Sequence, residues 1–408
     1  MPQSSISVVG LGADGPSGLG SRALDLVNQA TILCGGERHL DYFADHPARR
    51  FVVKSNLREL ATILEAERQS GRPVVLASGD PGCFGLVAFL RARFGREALE
   101  VVPNVSSFQL AFARLGEPWH DAHLLSAHGR PLGPVVREAL HSPKFAVLTD
   151  STNTPAAVAA ALLDAGLPDA PAWVLENLGA SNERLTATSL AKLEGQSFDP
   201  LNVLVVLRDS VPPRRYVFAR PETDYLHSRG LITKAEVRAV SLGKLRLAET
   251  DLVWDVGAGC GSVGIEAAAL AWRGTVWAVE RNPEQIDHIR ANVTRHRVVN
   301  LEIVAGSAPD ALGDLPDPDA VFVGGAGPEL RAVLAVSRDR LRPGGRFVLN
   351  AATFETAGTT LDFLRASGWP ADLTQISAAR GADLLGHTRL AALNPVFVIA
   401  ATKPAEAR

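Results

Sequence analysis

The chain of 408 residues has few cysteines and no long apolar run. Its cysteines, Cys34, Cys83 and Cys260, are far apart and lack metal-ligand spacing, which favours small core residues over disulfides or a zinc site. His120 and His123 have no partner pair at ligand spacing, so we expect no metal. The N-terminus has no signal-peptide pattern, and no apolar run reaches the roughly 18 residues of a membrane helix. We therefore expect a soluble, cytoplasmic protein.

The chain also has no surplus of positive charge. Its 41 Lys and Arg residues stand against 44 Asp and Glu residues, for a formal net charge of −3. Nucleic-acid binding depends on concentrated Lys and Arg, whereas basic pairs such as Arg49-Arg50 are scattered here. This balance weakens an RNA-directed function, and we expect a small-molecule partner with neither nucleic acid nor membrane.

Apolar strand-like runs alternate with Ala- and Leu-rich helical stretches in two successive series, which is typical of parallel α/β sheets. Pro212 and Pro213 interrupt regular structure between the series. We predict an N-terminal domain over 1–210, a linker over 211–222 and a C-terminal domain over 223–408. The predicted strands are 6–9, 31–34, 74–77, 99–102, 145–148, 172–175 and 203–207, then 252–256, 275–279, 301–304, 320–323, 346–349 and 396–400.

The sharpest pattern is a strand that runs into a glycine-rich turn and then a helix, Asp255-Val-Gly-Ala-Gly-Cys-Gly. Glycine permits backbone conformations closed to other residues, and the helix N-terminus offers free N–H groups. The next strand ends in Glu280, about 25 residues later, near the offset of an acid that binds ribose hydroxyls. We predict a nucleoside site here, and the pattern alone leaves nicotinamide enzymes open. Its residues are Gly257, Ala258, Gly259, Cys260, Gly261 and Glu280.

Several segments of this half resemble motifs of class I methyltransferases, which have a Rossmann-like fold and bind S-adenosylmethionine. They are Asp255-Val-Gly-Ala-Gly-Cys-Gly, Ala278-Val-Glu-Arg-Asn-Pro, Gly306-Ser-Ala-Pro-Asp-Ala-Leu and Leu341-Arg-Pro-Gly-Gly-Arg-Phe. Three more resemble the decarboxylating precorrin methyltransferase subgroup: Leu231-Ile-Thr-Lys-Ala-Glu-Val, Val321-Phe-Val-Gly-Gly-Ala-Gly and Ala379-Arg-Gly. This resemblance implies that Thr233 and Ala308 also contact the cofactor.

After the fourth strand of this half the sequence reads Gly324-Gly-Ala-Gly, where amino-group methyltransferases carry Asn or Asp, two prolines and an aromatic residue. No side chain here can hold a nitrogen nucleophile, so a carbon nucleophile is favoured. Gly324 and Gly325 would let a broad planar substrate approach, although a tight turn selected for packing is the alternative. Arg380 is predicted to pair with substrate carboxylates.

The first half has its own series of motifs: Val8-Val-Gly-Leu-Gly-Ala-Asp-Gly-Pro, Ser78-Gly-Asp-Pro-Gly-Cys-Phe-Gly, Val102-Pro-Asn-Val-Ser-Ser-Phe-Gln-Leu-Ala, Ala127-His-Gly-Arg and Glu176-Asn-Leu-Gly. In this order they resemble the tetrapyrrole methylase family, whose fold has two α/β subdomains. It implies cofactor contacts at Gly12, Pro16, Gly79, Asp80, Ser106 and Ser107, and substrate contacts at His128 and Arg130.

Some of these assignments have structural alternatives. The family commonly has Gly-Pro-Gly in its first loop, whereas this chain spreads those residue types over Gly12 to Pro16, which weakens the assignment of Pro16. Asp80 could form an Asx turn and Ser106 could cap a helix. His128 and Arg130 could lie in a solvated loop.

Together the two resemblances imply a fusion of two S-adenosylmethionine-dependent methyltransferases, with one cofactor in each half and a tetrapyrrole substrate. The implied reaction methylates precorrin-6B (precorrin-6Y) at carbons 5 and 15 and decarboxylates an acetate arm, giving precorrin-8X in cobalamin biosynthesis. It needs no catalytic triad, because an electron-rich carbon attacks the methyl group and the protein mainly aligns the reactants. We expect a homo-oligomer. The alternatives are an RNA or protein methyltransferase fusion and a nonenzymatic cofactor-sensing scaffold.

Overall fold

The computed structural model describes residues 4–210, 218–228 and 230–405. The chain divides near residue 211 into two compact units. Each unit combines sheets with helices, which confirms the predicted α/β fold class. Most of the predicted linker, including Pro212 and Pro213, lies outside the described residues, and the domain bounds stay a prediction.

The first unit contains ten strands and seven α-helices within its described residues. The strands are β1 (Ile6–Leu11), β2 (Ile32–Gly35), β3 (Arg49–Val52), β4 (Pro73–Ser78), β5 (Leu99–Val102), β6 (His123–Ser126), β7 (Lys144–Leu148), β8 (Pro171–Glu176), β9 (Arg184–Ser189) and β10 (Asn202–Leu207). The helices are α1 (Ser21–Asn28), α2 (Glu37–Asp41), α3 (Leu57–Glu67), α4 (Val87–Phe94), α5 (Ser107–Leu115), α6 (Leu132–Leu140) and α7 (Pro155–Asp164).

These strands form two sheets, as expected for two α/β subdomains. The first sheet, in the order β3-β2-β4-β1-β5, is parallel throughout. In the second, β6-β7-β10-β8-β9, only β6 and β7 are parallel, so the prediction of a parallel sheet is wrong there. The physical reason lies in the short connections between these strands. β8, β9 and β10 follow one another without an intervening α-helix, whereas two consecutive strands can be parallel neighbours only if a long crossover joins them.

The second unit contains nine strands and five α-helices within its described residues. The strands are β11 (Leu252–Val256), β12 (Thr275–Glu280), β13 (Leu301–Ala305), β14 (Ala320–Val323), β15 (Arg346–Ala351), β16 (Ala371–Ile376), β17 (Ala379–Leu384), β18 (His387–Ala392) and β19 (Val396–Thr402). The helices are α8 (Ala235–Leu245), α9 (Ser262–Leu270), α10 (Pro283–His296), α11 (Leu330–Arg340) and α12 (Phe354–Ala366).

Seven of these strands form one sheet in the order β13-β12-β11-β14-β15-β19-β16, and β17 and β18 form a separate hairpin. β19 is antiparallel to both of its neighbours, whereas β11 to β15 are parallel. From β11 the next two strands, β12 and β13, are added toward one edge of the sheet. β14 is then added on the opposite side of β11, so the strand order reverses there. At such a reversal the carboxyl ends of adjacent strands open a crevice. The loops after β11 and β14 therefore face a common site.

The seven-stranded sheet of the second unit has an apolar core on each face. Successive residues of a strand point to opposite faces, and accordingly Val253 belongs to one buried cluster while Trp254 and Val256 belong to another. The indole N–H of Trp254 donates to the carbonyl oxygen of Pro316 at 3.1 Å. Among the described residues no helix has the length and apolarity needed to span a bilayer.

Candidate functional site

The turn between β11 and α9 contains three glycines whose backbone lies in the left-handed region of φ/ψ space. Gly257, Gly259 and Gly261 have φ values of 71°, 56° and 80°, where a side chain would strain the backbone. A Cβ at Gly257 would also lie 2.2 Å from the carbonyl oxygen of Gly325. Gly261 precedes the first turn of α9, so the free N–H groups of that helix begin at the turn. Ala258 and Cys260 lie between these glycines, with Cys260 buried.

The carboxylate of Glu280, at the end of β12, lies against this glycine turn. Its Oε2 accepts a hydrogen bond from the Gly259 N–H at 2.8 Å. Its Oε1 accepts from the N–H groups of Arg281 and Asn282, both at 2.9 Å. A carboxylate offers about four lone-pair positions, so Oε2 keeps one for a hydroxyl donor. The structure thus brings the predicted acid and the predicted turn together in an arrangement that fits a ribose.

The two glycines after β14 have different surroundings. Gly324 donates its N–H to the Val256 carbonyl at 2.9 Å, and a Cβ there would lie 2.9 Å from the Gly257 carbonyl oxygen. Packing against the turn therefore requires glycine at this position. A Cβ at Gly325 would meet nothing within 4 Å. Gly325 thus leaves open space beside the turn.

Ala308 and Thr233, the other two predicted cofactor contacts of this unit, lie on different segments of the chain. Ala308 follows β13, close to the point where the Gly306 N–H donates to the Glu280 carbonyl at 2.9 Å. Thr233 precedes α8, and its carbonyl oxygen accepts a hydrogen bond from Arg238. The link from Thr233 to the turn therefore passes through Arg238, which contacts α9.

A buried ion pair of Arg238 in α8 and Glu266 in α9 was not predicted from the sequence. Both side chains are fully buried, with Nε and Oε1 at 2.8 Å. The Glu266 carboxylate also accepts from the Ala219 N–H at 2.7 Å, the Arg220 N–H at 3.1 Å and the Tyr225 hydroxyl at 3.0 Å. A charge buried in this way requires such compensation. The cluster fixes the segment before α8 to the helix that starts at the glycine turn.

Asp255 lies in β11 beneath the same turn and is 1% exposed. Neither of its carboxylate oxygens has a hydrogen bond of good geometry among the described residues, although the Gly264 N–H in α9 is close enough to favour the ionised form. Burial outweighs this N–H and, together with the negative charge of Glu280, raises the pKa of Asp255 to about 7. The turn thus lies over a carboxyl group that holds its proton well above the usual range.

Arg380, which we predicted to bind substrate, lies in a cluster of charged side chains within the second unit. This arginine lies in β17, and its guanidinium donates four hydrogen bonds of 2.6–2.9 Å to the carboxylates of Glu222 and Glu236. Four of its five N–H donors are therefore engaged within the chain. The cluster of two carboxylates and one guanidinium has a net negative charge, which disfavours a further carboxylate. These bonds tie β17 to the segments that carry Glu222 and Glu236, and a contact of Arg380 with substrate stays a prediction.

In the first unit a cavity of about 510 Å³ collects most of the predicted residues. Its lining includes Gly12, Gly79, Asp80, Ser106, Ser107 and His128. Pro16 and Arg130 are not among the lining residues. Pro16 belongs to a short 3-10 turn whose Gly15 packs on Tyr42, where a Cβ would approach the ring to 2.7 Å. This packing accounts for Gly15 without a ligand, and the cofactor contact of Pro16 stays a prediction.

The loops after β1, β4 and β5 meet at Gly79, at one end of the cavity. Gly79 has a φ of 53°, and its N–H donates to the Leu11 carbonyl at 2.7 Å. The Gly79 carbonyl accepts from the Asn104 N–H at 3.2 Å, and a Cβ at Gly10 would lie 2.0 Å from its oxygen. The glycines predicted to admit a cofactor therefore also allow these loops to approach one another.

Two structural alternatives are confirmed. Asp80 Oδ1 accepts from the Gly82 N–H at 2.8 Å, which is the Asx turn. The Ser106 hydroxyl accepts from the Gln109 N–H at 3.2 Å and caps α5 in a reciprocal capping box. These bonds do not remove either residue from the cavity wall, because both residues line it.

His128 lines the cavity, and its Nδ1 lies 3.3 Å from the Thr149 carbonyl oxygen. The Arg130 guanidinium lies over the Phe84 ring, 5.3 Å from its centroid. Sequence reasoning did not single out Phe84, Arg38 or His39, which also line the cavity. Burial, assisted by the charge of Arg38, lowers the pKa of His39 to about 4, so that this imidazole is neutral at physiological pH. Its Nε2 lies 3.1 Å from the Ser78 hydroxyl.

Within the described residues, no group of three or more His, Cys, Asp or Glu side chains is arranged to hold a metal ion.

Comparison with known proteins identifies both halves. Residues 5–194 match the tetrapyrrole (corrin/porphyrin) methylases, and residues 224–403 match the precorrin methyltransferase domain. A Sinorhizobium protein named precorrin-6Y C(5,15)-methyltransferase (decarboxylating) is 36% identical over 94% of this chain and 92% of its own length. A Mycobacterium tuberculosis protein of the same name is 32% identical over 86% of this chain and 88% of its own length.

A third relative corresponds to less of the chain. The Methanothermobacter thermautotrophicus protein named probable cobalt-precorrin-6B C(15)-methyltransferase (decarboxylating) is 37% identical over 41% of this chain and 86% of its own length. The Sinorhizobium match is close and extends across both halves. The chain therefore belongs to the precorrin-6Y C(5,15)-methyltransferase (decarboxylating) family.

Proposed function

We propose that this chain methylates precorrin-6B (precorrin-6Y) at carbons 5 and 15 with S-adenosylmethionine and decarboxylates an acetate arm, giving precorrin-8X in cobalamin biosynthesis. The observation that carries the proposal is 36% identity across 94% of the chain to a relative with this named activity. The contact between Glu280 and the glycine turn supports it, because this arrangement suits a nucleoside cofactor.

In the second unit, the residues at the carboxyl ends of β11 to β14 would hold the cofactor. Bound there, S-adenosylmethionine supplies a methyl group on a positively charged sulfur. Glu280 accepts from the ribose, and the backbone of Gly257 to Gly261 lies along the nucleoside. The open space at Gly325 admits the edge of a flat substrate. Alignment of this kind contributes up to about 7–11 kcal/mol when the reacting atoms are held near contact.

In the first unit, the cavity would hold a second cofactor, giving one per domain. Its volume of about 510 Å³ is within the usual range for a small-molecule site. Gly12, Gly79, Asp80, Ser106 and Ser107 line one region of it and form the proposed cofactor contacts. His128, which follows β6 and lines the same cavity, would face the substrate.

The two units would divide the chemistry. The Methanothermobacter relative matches 41% of this chain, and its name combines C(15) methylation with decarboxylation. We assign both of those steps to residues 223–408, which contain the match to the precorrin methyltransferase domain. Methylation of carbon 5 then belongs to residues 1–210.

We place the enzyme in the cytoplasm as a homo-oligomer. Support for self-association comes from the hairpin of β17 and β18, which exposes Leu384 by 51%, Leu385 by 91% and Leu390 by 73%. In the register of this hairpin Leu384 and Leu390 lie on opposite faces, so a second copy packed around it would cover both. Sedimentation of the full chain measures its oligomeric state.

The decisive experiment incubates the full chain with precorrin-6B and methyl-deuterated S-adenosylmethionine and analyses the product by mass spectrometry. We expect two labelled methyl groups and the loss of one carbon dioxide. Calorimetry with S-adenosylhomocysteine should reveal two sites per chain. An unchanged substrate would contradict the proposed function, and a single binding site would contradict one cofactor per domain.

A further inference from the structure

We propose that Phe84 and Arg130 form a substrate-recognition pair of the first unit. The Phe84 ring lies against the face of the tetrapyrrole, and Arg130 binds one of its carboxylate arms. This inference rests on the proposed function and extends it, because it names side chains that choose the substrate apart from those that hold the cofactor.

Phe84 is held in an unfavourable position for an apolar residue. It lines the cavity with 41% of its surface exposed, and its φ of 55° is strained for a bulky side chain. Strain of this kind persists where the surrounding structure imposes it, and it clusters at binding sites. The Phe108 ring, 6.1 Å away between centroids, supports Phe84 on one side. The Arg130 guanidinium also lies over this ring, and the part of the ring that neither Phe108 nor Arg130 covers is available to a ligand.

The loop that carries Phe84 is tightly built. The Cys83 N–H donates to the Asp80 carbonyl at 3.0 Å, and the Asp80 carboxylate accepts from the Gly82 N–H. A Cβ at Gly85 would lie 2.4 Å from the Pro81 carbonyl oxygen, so the chain passes very close to itself there. These restraints fix the direction of the Phe84 side chain, and the ring is therefore preorganised for contact.

Arg130 brings a positive charge to the same ring from the other sheet of this unit. It follows β6, whereas Phe84 follows β4, and its guanidinium carbon lies 5.3 Å from the Phe84 centroid. Its backbone is held by the Asn153 side chain, which donates to the Arg130 carbonyl at 2.9 Å. In the part of the chain that the structure describes, Arg130 has no carboxylate partner. The N–H groups of its planar guanidinium are therefore available to bind a carboxylate.

The chemistry of this pair fits the tetrapyrrole better than the cofactor. A precorrin has a conjugated face and a rim of carboxylates, which match an aromatic ring beside a guanidinium. S-adenosylmethionine carries a net positive charge, so an adjacent unpaired arginine disfavours it. The proposed cofactor contacts at Gly79, Ser106 and Ser107 are mainly backbone and hydroxyl groups, which suit a nucleoside.

The test measures the KM for precorrin-6B in the full chain, with the two methylations counted separately by mass spectrometry. Stacking on an aromatic side chain is worth enough that Phe84→Ala should raise the KM of the first-unit methylation by roughly tenfold or more. Phe84→Trp should restore it, because an aromatic face is retained. Arg130→Gln should raise the same KM and reduce its dependence on salt. Trp119→Ala, which removes an aromatic side chain that is 44% exposed and outside the cavity lining, is the matched control.

Phe84→Gly separates recognition from folding. Glycine adopts a positive φ without strain, so the melting temperature should be maintained while the KM rises as in Phe84→Ala. The methylation and decarboxylation of the second unit serve as an internal control in every variant.

The inference is overturned if Phe84→Ala and Phe84→Gly leave the first-unit KM within twofold of the wild-type value. It is equally overturned if these variants weaken cofactor binding in calorimetry while the KM for precorrin-6B at saturating cofactor is unchanged, since the ring would then stack on adenine. Failure of the proposed function is distinguishable, because the wild-type chain itself would then not methylate precorrin-6B.

Discussion

Glu280→Gln tests the second cofactor site with a substitution that nearly preserves shape. In the structure the carboxylate accepts three backbone hydrogen bonds, from Gly259 at 2.8 Å and from Arg281 and Asn282 at 2.9 Å. The glutamine oxygen can keep the two bonds from Arg281 and Asn282. Its NH2 group then points at the Gly259 N–H, so a donor meets a donor. The same NH2 group replaces the acceptor proposed for the ribose.

The expected loss follows from the charge of this acceptor. A hydrogen bond to a charged group contributes about 1.5–3 kcal/mol. At about 1.4 kcal/mol for each factor of ten, cofactor affinity at this site should fall roughly 10- to 100-fold. The first unit contains none of these contacts, so its affinity should be unchanged.

Calorimetry of the full chain with S-adenosylhomocysteine measures both sites in one titration. Carbon dioxide release and the number of labelled methyl groups, at limiting cofactor, report the two reactions. Asp287→Asn is the matched control, because it removes one exposed negative charge from α10 without touching the turn. Normal decarboxylation and double methylation by Glu280→Gln at limiting cofactor would refute the assignment of Glu280.

Two further predictions concern carboxyl groups of the second unit. Because the pKa of Asp255 is raised from 3.8 to about 7, the folded chain keeps a proton that the unfolded chain releases, and the free energy of unfolding falls as pH rises from about 4 to 7. Asp255→Asn should remove this fall, on the order of 4 kcal/mol, in denaturant titrations at several pH values; an identical pH slope in both proteins would contradict the assignment. Arg380, with burial opposing it, lowers the pKa of Glu222 to about 2, so its contribution is present above about pH 4.5 and is lost as pH falls toward 2. Arg380→Ala should lower stability at neutral pH by about 1 kcal/mol after solvent screening and weaken this acid dependence, with cofactor affinity unchanged by calorimetry; the Ala235 N–H, which also donates to Glu222, would preserve the remainder.

The strands that could be predicted from the sequence are mostly buried, whereas those that could not are mostly exposed. Central strands such as β1 and β11 are continuous apolar runs because helices cover both faces of their sheets. The unpredicted strands are β3, β6, β9, β16, β17 and β18, and each lies at a sheet edge or in the separate hairpin. Their side chains are largely exposed, as in Arg184–Ser189 and His387–Ala392. An edge strand is defined by its neighbour's hydrogen bonds, which a single sequence does not display.

In the site of the second unit, too, some residues could be predicted from the sequence and others could not. The glycine turn and Glu280 could be predicted because backbone conformation restricts the residue type and strand order fixes the distance between them. The pair of Arg238 and Glu266 could not, because each resembles an ordinary helix charge until the two helices pack together. The ion pairs of Arg380 could not be predicted for the same reason, since its partners lie 144 and 158 residues away in the sequence.

The Glu266 cluster determines where a stable fragment of the second unit can begin. The domain match starts at residue 224, but Ala219 and Arg220 donate to the Glu266 carboxylate, and the Arg220 carbonyl accepts from Arg238. A fragment cut at residue 224 loses two donors and one acceptor from a cluster that excludes water. Buried polar groups left unpaired cost about 1–3 kcal/mol each, a large part of the stability of a typical domain. An expression boundary drawn from sequence conservation alone would therefore yield a weakened protein, whereas one placed upstream of Phe218 keeps helix α9 and the turn before it intact.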